Sequence, residues 1–365
     1  MKSSMSNDSR PGDLPAVIAR ARQHARHNGL IYVSDTDPGI QRVRVGKGFR
    51  YLGPRRRPIT GTRTLERIRK LAIPPAYTDV WICTKERGHL QATGRDARGR
   101  KQYRYHEKWR ATRDDGKFSR MIEFGSRLPV LRRRVKADLM QPGLTRDKVL
   151  ALIVKLLDDT LIRVGNAEYA RTNSSYGATT LRDRHAKFLP DGTALLCFRG
   201  KAGQRHEVTL HDRDLVRVVR RCQQLPGQQL FQYIDEQGKR QPIDSGMVNE
   251  YLRRAMDGNF VDVEGFSAKD FRTWGATTRA VAYLVTQECG STVSERVFAR
   301  CVAATAKEVA HALGNTPAVC RKSYINPVVF AAWRSQLIAR LCSGRLGTGR
   351  ALEQLTLRVL RNVRT

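Results

Sequence analysis

Five residues have types and settings suited to chemistry at a phosphate diester: Arg163, Lys201, Arg272, Asn315 and Tyr324. Arg163, in LIRVGNAEYARTNSSYGATTLR, follows an amphipathic helical pattern, where a cation is favoured by the helix end; capping alone would also explain it. Lys201 stands at the tip of a predicted hairpin, in FRGKAGQRH. A mobile ammonium between glycines could enter a groove and act as a general acid, although an ordinary turn lysine is the plainer reading. Arg272, in FSAKDFRTWGATTRA, falls on the first turns of a helix opened by Ser267. A bidentate guanidinium there suits a phosphate diester, and a buried ion pair with Asp270 would account for it equally. Asn315 and Tyr324 share the segment HALGNTPAVCRKSYINP. Taken singly, Asn315 is a cap just past a helix end. Tyr324, near the far end of a short helix starting at Thr316-Pro317, is a packing tyrosine.

What the chain lacks narrows the chemistry. There is no Walker loop, no HExxH, no GxSxG and no dense carboxylate cluster of the kind a two-metal nuclease needs. Phosphate chemistry here would run without metal or nucleotide, so no cofactor is expected. Cationic side chains would then stabilise the charge on a five-coordinate phosphorus, and a side chain would supply the nucleophile. The net charge of +33, from 67 Lys and Arg against 34 Asp and Glu, is spread along the whole chain. A polyanionic partner is implied, nucleic acid first because each neutralised phosphate releases a counterion. Ribosomes or acidic membranes are the alternatives that charge alone leaves open.

The elements that must position these residues fall into two regions. Residues 1–12 are Ser-, Asn- and Gly-rich and read as disordered, and residues 15–27 as a basic amphipathic helix. Between 30 and 110, short β-prone runs (LIYVSD, QRVRVG, DVWICTK, HLQATG, KQYRYH) are punctuated by Gly and Pro. One helix, TLERIRKLAI, ends before Pro74-Pro75. From about 117 the pattern is helical. Thr145 opens a segment whose Val149, Leu150, Leu152, Ile153, Leu156, Leu157 and Leu161 line one face. TALLCFRG and RHEVTL form the hairpin that carries Lys201. Helices follow near 212–225, 245–257, 268–287 and 294–313. Ser267 and Asp270 make a capping box, Gly314 is a C′ residue, and Thr316-Pro317 and Asn326-Pro327 read as N-caps followed by Pro. The expected organisation is a flexible basic segment (1–28), a β-rich domain (29–116), a mainly helical domain (117–342) and a basic tail (343–365) as a loosely held helix, with the linker near 110–120, around RDDGK. Seven scattered cysteines without a C-x-x-C pair argue against disulfides or zinc and for a reducing compartment. No apolar run approaches a membrane span, and the N-terminus lacks a signal-peptide core. A cytosolic, nucleoid-associated monomer is expected.

The order Arg, Lys, Arg, Asn, Tyr, each in a Gly-punctuated or helix-edge setting, resembles the type IB DNA topoisomerase family, in its compact bacterial and poxvirus-like branch. RVGNAEYARTNSSYGATTLR resembles the motif around that family's first catalytic arginine, KDFRTW that around its second, and LGNTPAVCRKSYINP its tyrosine box. GRDARGRKQYRYHEKW resembles its N-terminal DNA-clamp motif. The resemblance runs from about residue 50 to 330. It implies an α+β architecture: a small β-rich lobe and a larger helical catalytic lobe, of the kind shared with tyrosine recombinases, clamping duplex DNA.

By the same resemblance, Tyr324 attacks the scissile phosphodiester, leaving a 3′-phosphotyrosyl link and a free 5′-hydroxyl. Arg163 and Arg272 hold the non-bridging oxygens. Lys201 protonates the departing 5′-oxygen. Asn315 stands where many members carry His; it could donate a hydrogen bond but could not act as a base toward Tyr324. Arg95, Arg100, Lys101, Gln102, Tyr103 and Tyr105 would contact DNA, with the two tyrosines on one face of a strand. Asn166, Tyr169 and Tyr176 would lie along it too, or simply pack. Two alternatives are a tyrosine recombinase and a non-enzymatic architectural DNA-binding protein. Recombinases typically carry H-x-x-R at the second arginine, where this chain has Lys269-Asp270-Phe271-Arg272; a pure binder would have no use for Tyr324.

Overall fold

A computed structural model of the chain describes residues 14–362, apart from 47, 98, 100, 257–264, 291–292 and 343–348; for 14–18, 20, 111–117 and 119 only the backbone is described. The expected disorder of 1–12 and the candidate DNA contact Arg100 lie outside the described residues. The chain divides into two compact units, Met1–Lys117 and Phe118–Thr365.

The first unit opens with helix α1 (Leu14–His27) and continues through β1 (Ile40–Val45), β2 (Gly48–Leu52), α2 (Thr62–Lys70), β3 (Thr78–Ile82), β4 (Leu90–Arg95) and β5 (Lys101–Tyr105). The strands form one antiparallel sheet in the order β2-β1-β3-β4-β5. Ile40, Val80, Ile82 and Ala92 pack with Ile68 of α2 beneath it. Two β-prone readings shift. GFRYL, with Val45 opposite Gly48, forms a strand that the periodicity did not single out. LIYVSD forms only an isolated bridge from Ile31 to Gly88. There the Asp37 carboxylate accepts the Ser34 N–H at 2.9 Å and turns the chain. Leu30 and Val33 are buried in small side clusters.

The unit boundary falls inside α3 (Glu107–Leu139), so the expected linker around 113–117 is helical. The second unit continues with α4 (Arg146–Thr160), capped by Thr145, whose side chain accepts from the Lys148 N–H at 3.4 Å. The sequence reading gave α4 one apolar face. The structure instead buries nine of the ten residues from 148 to 157, because α4 is enclosed by elements that follow it. After α4 come α5 (Ala167–Asn173), β6 (Ala186–Phe188), the hairpin β7 (Ala194–Arg199) and β8 (Arg205–Leu210), α6 (Arg213–Gln223), β9 (Gln232–Ile234), β10 (Arg240–Pro242), α7 (Ser245–Ala255), α8 (Ala268–Val285), α9 (Glu295–Leu313), α10 (Pro317–Ser323), α11 (Val328–Arg334), α12 (Leu337–Leu341) and α13 (Arg350–Asn362). Of these, α6, α7, α8 and β9 pack on α4 directly.

The C-terminal segment also departs from expectation. Helix α13 is no loose tail: Leu355, Leu357, Val359 and Leu360 are buried in the main core. Arg132 of α3 binds it, pairing with Glu353 at 2.7 Å and with Asp158 of α4 at 2.7 Å. The capping box of α8 forms between Ser267 and Asp270: the Asp270 carboxylate accepts the Ser267 N–H at 2.8 Å and its hydroxyl at 3.0 Å. All seven cysteines are free, and four of them (Cys83, Cys222, Cys301 and Cys320) are buried.

Candidate active site

Arg163 owes its position to a stop signal. Helix α4 ends at Leu161, which takes a left-handed conformation with φ of 56°. Arg163 therefore sits two residues beyond the cap and not on the last helical turn, as its sequence setting suggested. The backbone after it is pinned by the SSYGATTL run: Ala178 N–H bonds to the Arg163 carbonyl at 2.8 Å and Thr179 N–H to that of Val164 at 2.7 Å. A Cβ on Gly177 would lie 2.5 Å from the Arg163 carbonyl oxygen, so only glycine permits this approach.

Arg272 comes from the second turn of α8 and is 3% exposed. It pairs with no carboxylate among the described residues; Asp270 is engaged in the helix cap. Its guanidinium is held by main-chain carbonyls at two helix ends. Nη1 donates to Leu161 at the end of α4, and Nη2 donates to Leu313 at the end of α9, at 3.1 Å. These are carbonyls that a helix leaves unsatisfied, with partial negative charge. Nε of Arg272 is buried without a partner. Burial, then the nearby Arg163, push this guanidinium below its ordinary pKa. A buried cation without a counter-charge is costly, and a bound anion would relieve that cost.

Asn315 and Tyr324 are set by consecutive caps. Gly314, at φ 58°, ends α9, with Gly314 N–H bonded to the His311 carbonyl at 3.3 Å and Asn315 N–H to that of Ala310 at 3.0 Å. This is the Schellman arrangement. Thr316 then caps α10, accepting from the Val319 N–H at 3.3 Å, with Pro317 first in the helix. Tyr324 follows its last turn, and Thr277 of α8 locks it there. The buried Thr277 hydroxyl donates to the Tyr324 carbonyl at 3.3 Å and accepts the Asn326 N–H at 3.0 Å.

These segments converge. Arg163 Nη1 donates to the Tyr324 hydroxyl at 3.1 Å, and Nη2 donates to Asn315 Oδ1 at 3.1 Å. The Arg272 guanidinium lies over the Tyr324 ring, 5.0 Å from its centroid. Burial by itself would raise the phenol pKa; Arg163 and Arg272 outweigh it and hold the hydroxyl below its ordinary value. Asn315 Nδ2 is buried with no acceptor among the described residues. Arg163, Arg272 and Tyr324 line a pocket of about 220 Å³ together with Lys201, Asn166, Tyr169 and Tyr176. Lys201 is exposed at the hairpin tip, followed by Ala202 and Gly203 at φ of 62° and 81°.

The remaining sequence candidates divide. Asn166 caps α5, accepting the Tyr169 N–H at 3.0 Å. Tyr169 is 44% exposed and Tyr176 only 7%. Tyr176 also borders a second pocket, lined by Arg171, Arg182 and Arg184. In the first unit, Arg95 pairs with Asp79 at 3.5 Å, Lys101 pairs with Asp35, and Gln102 donates to Asp96 at 3.0 Å. Tyr103 and Tyr105 do share a face: their rings stack at 6.0 Å. Tyr103 is 46% exposed.

Sequence reasoning missed Lys269 as a pocket residue, having used it only to separate families. It also passed over the arginines of the second pocket and His206 of β8. Nothing in the local pattern marks a strand histidine as close to the two arginines, but the electrostatics do, since both lower its pKa.

Among the described residues no carboxylate pairs with either arginine beside the Tyr324 hydroxyl, and with a lysine at the same pocket the site is that of a class of protein suited to binding phosphodiesters. Comparison with known proteins says which one. Residues 106–336 match the family model described as eukaryotic DNA topoisomerase I, catalytic core, and residues 48–96 match that of the bacterial DNA topoisomerase IB N-terminal domain. The chain is 35% identical over 292 residues to the DNA topoisomerase 1B of Acanthamoeba polyphaga mimivirus, covering 79% of this chain and 85% of that protein. It is 25% identical over 272 residues to the DNA topoisomerase 1B of Vaccinia virus (strain Copenhagen), covering 71% and 79%. The chain belongs to the type IB DNA topoisomerases, isomerases that break and rejoin DNA.

Proposed function

We propose that this enzyme relaxes supercoiled duplex DNA through a covalent 3′-phosphotyrosyl intermediate on Tyr324. The Tyr324 hydroxyl loses its proton to water, and its oxygen forms a bond to phosphorus as the bond from phosphorus to the 5′-oxygen breaks. Lys201 gives the departing oxygen its proton and takes it back on religation. Arg163 and Arg272 bind the non-bridging oxygens, and the unpartnered Nδ2 of Asn315 donates to one of them. One ester replaces another, so no ATP is consumed, and the two guanidiniums supply the positive charge that a divalent ion would otherwise bring. Between cleavage and religation the downstream duplex swivels.

The observation that carries this reading is the 3.1 Å contact from Arg163 to the Tyr324 hydroxyl, with Arg272 over the same ring and, among the described residues, no carboxylate paired to either arginine. Relaxation fits better than site-specific recombination, since both family models and the relatives named above are topoisomerases. Tyr169, Tyr176 and the arginine-lined second pocket would follow the backbone away from the scissile phosphate. Tyr103 would reach the duplex from the first unit. The enzyme would act as a monomer associated with DNA; no described helix is long and apolar enough to cross a membrane.

The test is plasmid relaxation in EDTA without ATP, together with trapping of the protein on DNA by denaturant. Tyr324→Phe should abolish relaxation and trapping while sparing DNA binding. Relaxation retained in that variant would overturn the assignment.

A further inference from the structure

His206 lies outside every role assigned above, yet it is wedged between two parts of the site. It belongs to β8, opposite Phe198 of β7, and its ring stacks on Phe198 at 5.1 Å and 13°. Two glycines then close on it from different segments. A Cβ built on Gly200, the residue before Lys201, would lie 2.6 Å from both Cδ2 and Nε2 of the imidazole. A Cβ built on Gly314, the residue before Asn315, would lie 2.7 Å from Cε1 of the same ring. The imidazole thus fills the space between the backbone of the hairpin tip and the backbone of the turn that presents Asn315. Burial, then Arg272 and Arg163, hold it below its ordinary pKa, which favours a neutral ring beside two guanidiniums.

We infer that His206 is a positioning residue, its ring docking the Lys201 hairpin against the Gly314–Asn315 turn so that Lys201 meets the leaving 5′-oxygen. The tip is exposed, and its turn, with Ala202 and Gly203 at positive φ, is closed by the Gly200 N–H on the Gln204 carbonyl at 2.7 Å. Those bonds fix the turn's own shape; where the turn stands against the Asn315 segment is set by a contact from outside it. This inference rests on the proposed role of Lys201 as proton donor.

The experiment measures single-turnover cleavage of a duplex with a 5′-oxygen or a 5′-sulfur at the scissile bond. A departing thiolate, with a thiol pKa of about 8.5, needs no proton, so sulfur bypasses a misplaced general acid. His206→Ala should slow cleavage of the oxygen substrate by roughly 10–100-fold, leave DNA affinity within about two-fold, and recover most of the rate on sulfur. Gly200→Ala, whose methyl would strike the ring, should show the same pattern. In the His206→Ala background it should cost nothing further, because the obstacle is gone. Unchanged cleavage in His206→Ala, equal losses on oxygen and sulfur, or independent multiplication of the two effects would each overturn the inference. Lys201→Ala is the control. If sulfur fails to rescue that variant, the proton-donor role of Lys201 is what fails, and the non-additivity of Gly200→Ala and His206→Ala alone decides whether the ring docks the tip.

Discussion

Asn315 offers its Oδ1 to Arg163 at 3.1 Å and keeps its Nδ2 buried with nothing to donate to. A buried donor without an acceptor costs free energy unless a ligand completes it. The amide is oriented by Arg163, so the empty donor is directed and does not rotate to suit. If that donor meets a phosphate oxygen in the transition state, Asn315→Ala should lower single-turnover cleavage by about 100-fold, the scale for one lost oxyanion donor. Asn315→Asp is nearly isosteric but would pair with Arg163 and repel the phosphate. It should lower the rate further than Asn315→Ala, and an Asp variant faster than the Ala variant would count against a donor role.

The two arginines beside Tyr324 make a prediction about pH. Its hydroxyl is held below the ordinary phenol value of about 10, so the tyrosinate of Tyr324 should appear at lower pH than that of a free phenol. Comparing tyrosinate absorbance in the wild type and in Tyr324→Phe isolates this titration. Arg163→Ala should move it upward, since Arg163 lowers it both by its charge and by its hydrogen bond to the hydroxyl. A depressed folded pKa also means that ionised Tyr324 favours the folded chain. That contribution is complete above the unfolded phenol value and is lost as pH falls through the folded value.

Gly275 of α8 is packed against the Leu161 side chain: a Cβ there would lie 2.4 Å from Cδ1. The Leu161 carbonyl in turn anchors Arg272. Gly275→Ala should destabilise the second unit by about 1–3 kcal/mol through overpacking, read as a lower Tm. Cleavage should fall by more than the loss of folded protein explains, because the displaced residue carries the Arg272 anchor. Activity that tracks only the folded fraction would argue that Leu161 relaxes without moving the arginine.

The C-terminal helix should be indispensable for folding. Four buried aliphatic side chains of α13, at ~2 kcal/mol each, amount to much of the 5–15 kcal/mol by which a domain is typically stable. Deleting residues from 350 onward should leave the second unit insoluble or molten, seen as loss of a cooperative thermal transition. Arg132→Ala, which frees Asp158 and Glu353 together, should lower Tm without abolishing folding.

Much of this protein is legible in its residues alone. Local rules place Thr145, Gly314 and Thr316 at helix ends and Lys201 at a hairpin tip, because caps and turns depend on a few neighbouring atoms. Two features escape those rules: that α4 is buried on more than one face between 148 and 157, and that α13 belongs to the core. Burial is decided by elements far along the chain, and a one-faced or loosely held helix has the same local signature. The residue types at 163, 201, 272, 315 and 324 and their order were enough to suggest the chemistry. That Arg272 is held by two helix ends and not by Asp270, that Asn315 Nδ2 is left unpartnered, and that His206 fills the gap between Gly200 and Gly314 belong to tertiary structure. Each depends on groups brought together from segments tens of residues or more apart, whose distance no local pattern encodes.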